Sequence, residues 1–418
     1  MSKINPLVQW WLSQKLPARH MVVDRDKLQD SHFKNIIIYV KHYFIHPVKR
    51  RIAKYYLVIL KKVFNLKVIG ITGSAGKTTT KDMLHSILKR NGRVVSSYKN
   101  IDPVYNIPST ILRCTPFTTY LVLEMGVEFP GEMDFYLWLV KPNVGVITNI
   151  SVAHTEFFGD IGGVFREKSK LVKSLTGNDV SVLFREDKQL EKLEYKLRSK
   201  VEWFGDGSDV MSSIEKYYDV YSKFNLIFDQ DVKRKIAIKL SVLGVQFVRN
   251  ALAAAAVAKS FGFDLKIIKE GLETFETPEH RMKIIKLRSG AIILDDSYNN
   301  NPRAAILAIK TLGNIPRKKK VVVFGDMLEL GMLEDKYHLD IAKYISRHHW
   351  NYKMICVGKA SGLISEYLNR KRAGSATSYA NWEKALEKAV TYSKDKNVAM
   401  LIKGSRYIEL DKLVARLR

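Results

Sequence analysis

The sequence predicts an α/β protein: a P-loop-type central ATPase domain with a parallel sheet, followed by a Rossmann-like α/β C-terminal domain. Three observations carry this. From residue 67 onward, apolar runs of strand length alternate with helical patterns, and such a series implies a parallel sheet. The first run leads into Gly73-Ser74-Ala75-Gly76-Lys77-Thr78-Thr79, a glycine turn before a helix. Backbone amides and a helix N-terminus gather phosphate oxygens there. Four later apolar runs each end in a polar or glycine turn, and sheets of this class hold ligands outside the carboxyl ends of their strands.

A chain of 418 residues has room for two to four domains at roughly 100–200 residues each. With 46% hydrophobic residues and 11 prolines, long intrinsic disorder is not expected. Cys114 and Cys356 are the only cysteines and lie far apart. That argues against a secreted disulfide scaffold and a cysteine-ligated zinc site, so a reducing cytoplasm is the expected compartment. No stretch reaches the roughly 18 apolar residues of a spanning helix. Residues 1–20 lack an apolar run followed by a small-residue cleavage site, so neither signal peptide nor membrane anchor is expected.

Lys and Arg outnumber Asp and Glu 69 to 42, a net charge of +27. Residues 1–67 alone hold fourteen Lys/Arg against three Asp/Glu, a net +11. Segment 33–64 interleaves apolar and basic residues. After Pro47 it places Ile52, Tyr55, Tyr56, Ile59, Leu60 and Val63 at helical spacing, with Lys49, Arg50, Lys54, Lys61 and Lys62 mostly elsewhere on the wheel. Three readings stay open: a helix docked on the next domain with its charges solvated, one lying on an anionic membrane surface at the inner face, or one binding nucleic acid through phosphates. No nucleic-acid fingerprint accompanies the charge, so no specific nucleic acid is expected.

Residues 67–93 read as strand, glycine turn and helix. YLVLEMG (120–126) and NVGVITNI (143–150) are strands, and PGEMDFYLWLV between them fits a helix. Residues 180–240 read as a more polar sheet region, and 248–263 as an alanine-rich helix packed tightly. A proline-containing turn places a boundary near 278. Beyond it, residues 291–302, 319–331, 352–360 and 397–405 are the four strands of the second domain. The expected division is therefore 1–66, a basic amphipathic segment; 67–278, the central ATP-binding domain; and 279–418, the C-terminal domain.

In the loop, Lys77 is placed to reach the β- and γ-phosphates and the Thr78 hydroxyl to ligate Mg²⁺. The usual glycine five residues before Gly76 is Ile71 here, so the loop is a shorter variant. Glu124, at a strand tip, can hold Mg²⁺ or be an ordinary exposed acid. His154 also follows a strand, where a lone histidine is more often structural. Lys168 alone reads as a solvated helix lysine. Asp295 and Asp296 end another strand, where an acid can accept hydrogen bonds from ribose hydroxyls, with an Asx-turn or cap as the alternative. Lys403-Gly404-Ser405-Arg406 can form an anion site.

Together these runs resemble the Mur ligase family, ATP-dependent amide ligases of peptidoglycan precursor assembly. They are GITGSAGKTTTKDML (70–84), LEMGVEFPGEM (123–133), ITNISVAHTEFFG (147–159), NALAAAAVA (250–258), DDSYNNNPRA (295–304), VFGDMLELG (323–331) and KGSR (403–406). They stand in the family's order, and DDSYNNNP and GDMLELG resemble its D-alanyl-D-alanine-adding branch. The resemblance implies a monomeric enzyme that phosphorylates the carboxylate of a nucleotide-sugar peptide, UDP-N-acetylmuramoyl-tripeptide. The dipeptide amine then attacks the acyl phosphate. It implies ATP and two Mg²⁺ ions, with Thr78, Glu124, His154 and a carbamylated Lys168 around the metals. It implies nucleotide contacts at Gly73–Thr79, Asn250, Arg281 and Asp296, and a substrate side at Asn299, Asn301, His338, Lys403, Ser405 and Arg406.

The family's N-terminal domain, which grips the UDP end, has no counterpart in residues 1–66. The loop 98–108 departs from the family pattern at Asp102, Val104 and Asn106, and Gln246-Phe247 replaces a His-Asn pair. These departures leave two alternatives: a related ligase for another acid–amine pair, such as a poly-γ-glutamate-type polymer, or a non-catalytic nucleotide-dependent basic binding protein.

Overall fold

The computed structural model describes residues 6–13, 15–23, 32–98, 101–151, 155–218, 221–231, 233–328, 330–348 and 351–418. The first sheet is built from β1 (Lys67–Thr72), β2 (Val94–Ser96), β3 (Tyr120–Glu124), β4 (Val144–Ile147), β5 (Val180–Phe184), β6 (Lys200–Phe204), β7 (Val210–Tyr217), β8 (Ser222–Phe228) and β9 (Lys235–Leu240). Their spatial order is β2-β3-β1-β4-β5-β6-β7-β8-β9. Strands β2 through β6 run parallel, and β7–β8–β9 form an antiparallel meander. Val68, Ile69, Ile71, Leu121, Val122, Leu123, Val146 and Ile147 have no exposed surface, because a parallel sheet is covered by helices on both faces. The meander is the polar region expected from residues 180–240. Lys223, Lys235 and Lys239 face solvent, while Phe224, Leu226, Ile238 and Leu240 face inward.

The second sheet contains β10 (Lys283–Lys286), β11 (Ile292–Asp296), β12 (Lys319–Gly325), β13 (Tyr352–Val357), β14 (Ala376–Tyr379) and β15 (Val398–Lys403), in the order β10-β11-β15-β12-β13-β14. The four strands expected from the sequence are β11, β12, β13 and β15. The two edges, β10 and β14, were not anticipated. Each has four residues, and the sequences KIIK and ATSY offer no sustained apolar run. The alanine-rich helix spans Val245–Ser260. Ala251, Ala253–Ala256 and Ala258 are completely buried, and methyl-sized side chains let its backbone approach α4 (Lys77–Leu88), the helix that leaves the phosphate loop.

The N-terminal region is more ordered than its sequence suggested. After α1 (Pro6–Leu12), helix α2 (His32–Val40), a π-turn at Lys41–Ile45 and α3 (His46–Val63) follow one another without a break in helical backbone. The helical spacing read after Pro47 thus extends back through it to His32. Pro47 cannot donate a backbone bond, and the wide turn before it, closed by the His46 N–H on the Lys41 carbonyl, absorbs the irregularity. Thirty-two residues at 1.5 Å each make a rod of ~48 Å.

One stripe of α3, formed by Pro47, Arg50, Ala53, Leu57 and Leu60, is buried. It packs on α5 (Pro103–Ile111) and α6 (Glu132–Leu139). Lys49 Nζ donates to Ser109 Oγ at 2.8 Å, the Tyr56 hydroxyl to the Cys114 carbonyl at 2.8 Å, and the Lys54 ammonium lies 3.9 Å from the centre of the Trp138 ring. Arg50 donates to the Leu12 carbonyl at 3.2 Å and ties α1 to the rod. Of the three readings of this segment, docking describes the inner face. Cys114 and Cys356 are both buried and free, and burial pushes each thiol up to about 12.

If the rod belongs to the central core, Leu57→Ala should cost about 2–5 kcal/mol, as other buried leucines do. Ile59→Ala, on the exposed side, should stay within about 0.5 kcal/mol. Denaturant unfolding followed by circular dichroism measures both; equal effects would show that the rod is not packed as described.

Candidate active site

Strand β1 is flanked by β3 on one side and β4 on the other, so the chain reverses its winding there and a crevice opens at the strand's carboxyl end. The phosphate loop fills that crevice. Gly76 has φ +85°, a conformation that favours glycine, and a Cβ added to it would lie 2.3 Å from Asn250 Oδ1. At Gly73 a Cβ would lie 2.0 Å from Thr148 Oγ1. The loop is held from β4: Thr148 Oγ1 and Asn149 Nδ2 donate to the Ala75 carbonyl at 2.5 and 2.9 Å, and the Ser74 N–H donates to the Asn149 carbonyl at 3.0 Å.

Lys77 Nζ donates to the Gly73 carbonyl at 3.0 Å. Burial pushes its ammonium pKa down, Glu124 pulls it up, and Arg281 lowers it further. The Thr78 hydroxyl donates to Glu124, 2.9 and 3.1 Å from its two oxygens. A hydroxyl and a carboxylate facing one another beside a phosphate loop are the hard oxygen donors that suit Mg²⁺. Thr79 is buried behind them and lines the same cleft. Lys168 lies on helix Ile161–Lys173 and is 1% exposed. Burial, then the nearby Lys77, push its pKa well down, against weaker pulls from Glu132 and Glu167. It is therefore no solvated surface lysine. His154 lies outside the described residues.

The second sheet meets this crevice with its own strand ends. Asp296 ends β11 and Lys403 ends β15, directly opposite in register. Lys403 Nζ donates to Asp296 Oδ2 at 2.7 Å and to the Asn299 carbonyl at 2.8 Å. Burial pushes the Asp296 carboxyl up, while Lys403 pulls it down. Arg281 reaches the same space, with its guanidinium 4.5 Å from the centre of the Tyr298 ring; Arg406 lies 5.6 Å from the same ring.

Two connected chambers result. One is lined by the loop residues 74–79, Asn250, Arg281, Asp296, Asn299, Asn301 and Lys403. The other extends from Lys77, Glu124 and Arg281 past Asn299, Ser405 and Arg406 to Asp102, Asn106, Glu132 and Tyr136.

Some expected site residues work as scaffold. Asn301 caps helix Pro302–Asn314 by accepting from the Ala304 N–H at 2.9 Å, and it faces the first chamber, not the second. His338 is fully buried. Its Nε2 accepts from the Met327 N–H at 3.0 Å and holds the 326–328 loop, while its Nδ1–H donates to the Glu334 carbonyl of its own helix at 2.8 Å. Ser405 Oγ donates to the Asp326 carbonyl at 2.8 Å and accepts from the Leu328 N–H at 3.1 Å, bracing that loop from the other side.

Other site residues escaped the sequence reading. Phe184 and Phe204 stack with centroids 5.3 Å apart in the first chamber, and Arg249 lies over Phe184 at 4.9 Å. They come from β5, β6 and the alanine-rich helix, so no local motif unites them. Tyr298 carried a signal: an aromatic directly before three asparagines, just past a strand end. In loop 98–108, Asp102 caps α5 and Asn106 Nδ2 donates to the Tyr98 carbonyl at 3.1 Å.

A phosphate loop with a metal-suited oxygen pair, closed over by the strand ends of a second α/β sheet, defines a nucleotide-dependent ligase. Residues 71–258 match the Mur ligase middle domain, and residues 280–406 the glutamate ligase domain of Mur ligases. The chain belongs to the Mur ligase family of ATP-dependent ligases.

Among its relatives, the UDP-N-acetylmuramoyl-tripeptide–D-alanyl-D-alanine ligase of Buchnera aphidicola subsp. Baizongia pistaciae is 31% identical, across 84% of this chain and 75% of the relative. The enzyme of the same name from Bacillus subtilis is 31% identical across 87% of this chain and 78% of the relative. The crystal structure of MurF from Acinetobacter baumannii superposes with a TM-score of 0.80 at 28% identity, covering 89% of this chain and 80% of that one.

Gly76→Ala should weaken binding of a fluorescent ATP analogue at least about tenfold, because strain and the Asn250 clash add. Gly262→Ala, with φ +81° and nothing within 4 Å of the added Cβ, should bind normally. Equal affinities would show that the loop does not hold the nucleotide.

Proposed function

We propose that the chain adds D-alanyl-D-alanine to UDP-N-acetylmuramoyl-tripeptide, forming a peptide bond at the expense of ATP. The observation that carries this reading is the shared cleft. Lys77 and Glu124 of the first sheet and Arg281, Asn299 and Arg406 of the second line one continuous space, so a phosphorylated carboxylate and an incoming amine can meet in it. The names of the relatives supply the substrates.

In this reading the loop 73–79 cradles the phosphates, Lys77 and Arg281 offset charge on the γ-phosphoryl group, and Asn250 sets the loop. Asp296 takes the ribose hydroxyls. The second chamber holds the peptide carboxylate, with Asn299, Ser405 and Arg406 toward the dipeptide. Positioning and charge stabilisation are the chain's main contributions to such a transfer. Thr78, Glu124, His154 and a modified Lys168 would hold Mg²⁺, which would supply positive charge against the phosphates. The burial of Lys168 fits that modification. A depressed pKa favours the neutral amine, which is the form that adds carbon dioxide, and the resulting carbamate is an anion beside Lys77. Asn301 and His338 are better read as scaffold than as substrate contacts.

We read the chain as three parts, 1–66, 67–278 and 279–418, acting as a cytoplasmic monomer.

The direct test is ADP release with ATP, Mg²⁺, UDP-N-acetylmuramoyl-tripeptide and D-alanyl-D-alanine, each omitted in turn. Release that needs all four supports the reading. Turnover only with another acid or amine would move the substrate elsewhere in the family. Lys77→Ala should abolish ADP release with an unchanged circular dichroism spectrum; wild-type turnover would remove Lys77 from the mechanism. Lys168→Ala should lose activity and regain part of it with added short carboxylic acids. Absence of rescue at every concentration would count against the carbamate.

A further inference from the structure

The rod formed by α2 and α3 has a second apolar face that the fold does not use. At 100° per residue, Val48, Ile52, Tyr55, Ile59 and Val63 form one stripe, opposite the buried stripe of α3. All five are exposed, Tyr55 to 66% and Val63 to 68%. The N-terminal half continues it: α2 has no buried residue, and Phe33, Ile36, Ile37 and Val40 are all exposed. A surface helix normally turns its charged side to water; this one is apolar on both sides.

The chemistry of the covering partner follows from charge. No Asp or Glu occurs between Asp30 and Asp82. Lys49 borders the outer stripe of α3 on one side, Arg51 and Lys62 on the other, and Lys34 and Lys41 are exposed along the N-terminal half. A second copy would set two such cationic faces against each other. Nucleic acid would leave the apolar stripe without a partner. An apolar stripe between rows of cations matches the boundary between acyl chains and anionic headgroups. Among the described residues no helix is long and apolar enough to cross a membrane, so the rod would lie on it.

We propose that this outer face is a binding surface for anionic phospholipid bilayers, and that it fixes the ligase cleft close to the membrane. The second clause rests on the function proposed above; the first does not. Helices α5 and α6 touch the rod on one side, and their residues Asp102, Asn106, Glu132 and Tyr136 line the second chamber on the other. The N-terminal region grips the same wall at a second point, where His20 Nε2 lies 2.6 Å from Glu132 Oε1 and Arg19 lies 4.2 Å from the Phe129 ring centre. Two helix diameters, roughly 20 Å, therefore separate the lipid from the cleft. A bilayer-bound chain would hold its acid-binding chamber within roughly 20 Å of the lipid.

The test is co-sedimentation of the full chain with vesicles of mixed phosphatidylglycerol and phosphatidylcholine, against pure phosphatidylcholine, at low and high salt. The wild type should bind the anionic vesicles at least about tenfold more tightly, and salt should weaken this. Ile52→Glu/Ile59→Glu should abolish binding, and Lys62→Glu should weaken it several-fold. Both variants should keep the wild-type melting temperature and ADP release with soluble substrates. Equal binding to both vesicle types, no binding, or wild-type binding by the double variant overturns the proposal. A wild-type dimer that the double variant converts to monomer, seen by light scattering without lipid, also overturns it and assigns the face to a second copy. Vesicle binding with no ADP release in any preparation leaves the surface standing and removes the ligase reading.

Discussion

Lys77 lies half-buried against the carbonyl of Gly73, where loss of water lowers its pKa and only Glu124 and Glu128 pull it back. Much of the structure answers that one electrostatic problem. A phosphate chain brings several negative charges into a crevice from which water must be kept, so cations have to be waiting there before it arrives. Cations crowded without an anion repel each other. The fold meets this by spacing them over two sheets, with Lys77 on the first and Arg281, Lys403 and Arg406 on the second. Carboxylates are set between them: Glu124 against Thr78, and Asp296 against Lys403. Lys168 stands beside this group with its charge opposed by burial and by Lys77 together.

The parts of this arrangement legible in the sequence were those encoded locally. A strand, a glycine turn and a helix start follow one another in residues 67–84, so the phosphate loop could be read directly. The same holds for Asp296 and Lys403, which end apolar runs. Their pairing could not be read, because it depends on β11 and β15 lying side by side although 107 residues separate the two groups. The aromatic side of the first chamber was hidden for the same reason, since Phe184, Phe204 and Arg249 meet only through the sheet order. Asn301 and His338 show a different limit. Their residue types suit substrate binding, but Asn301 Oδ1 also caps a helix and both His338 ring nitrogens bond backbone groups, and sequence does not show such competition.

The N-terminal region needed both kinds of information. Its charge and apolar spacing were plain in the sequence. Only the structure separates the stripe that docks on α5 and α6 from the stripe that faces outward. It also shows that Arg19, His20 and Lys49 anchor the region to the walls of the second chamber. The region is thus part of the cleft's architecture and not an appended tail, and its outer chemistry bears on where the cleft sits in the cell.

The central claim is that the phosphate loop spends ATP on a carboxylate bound in the adjoining chamber. The most direct measurement uses tripeptide substrate labelled with heavy oxygen in the reacting carboxylate and follows the label by mass spectrometry. An acyl phosphate broken by an amine passes one labelled oxygen to the released phosphate and leaves the other in the new amide. Phosphate whose fourth oxygen comes from solvent, with no label from the carboxylate, would mean that water receives the phosphoryl group, and would contradict the account.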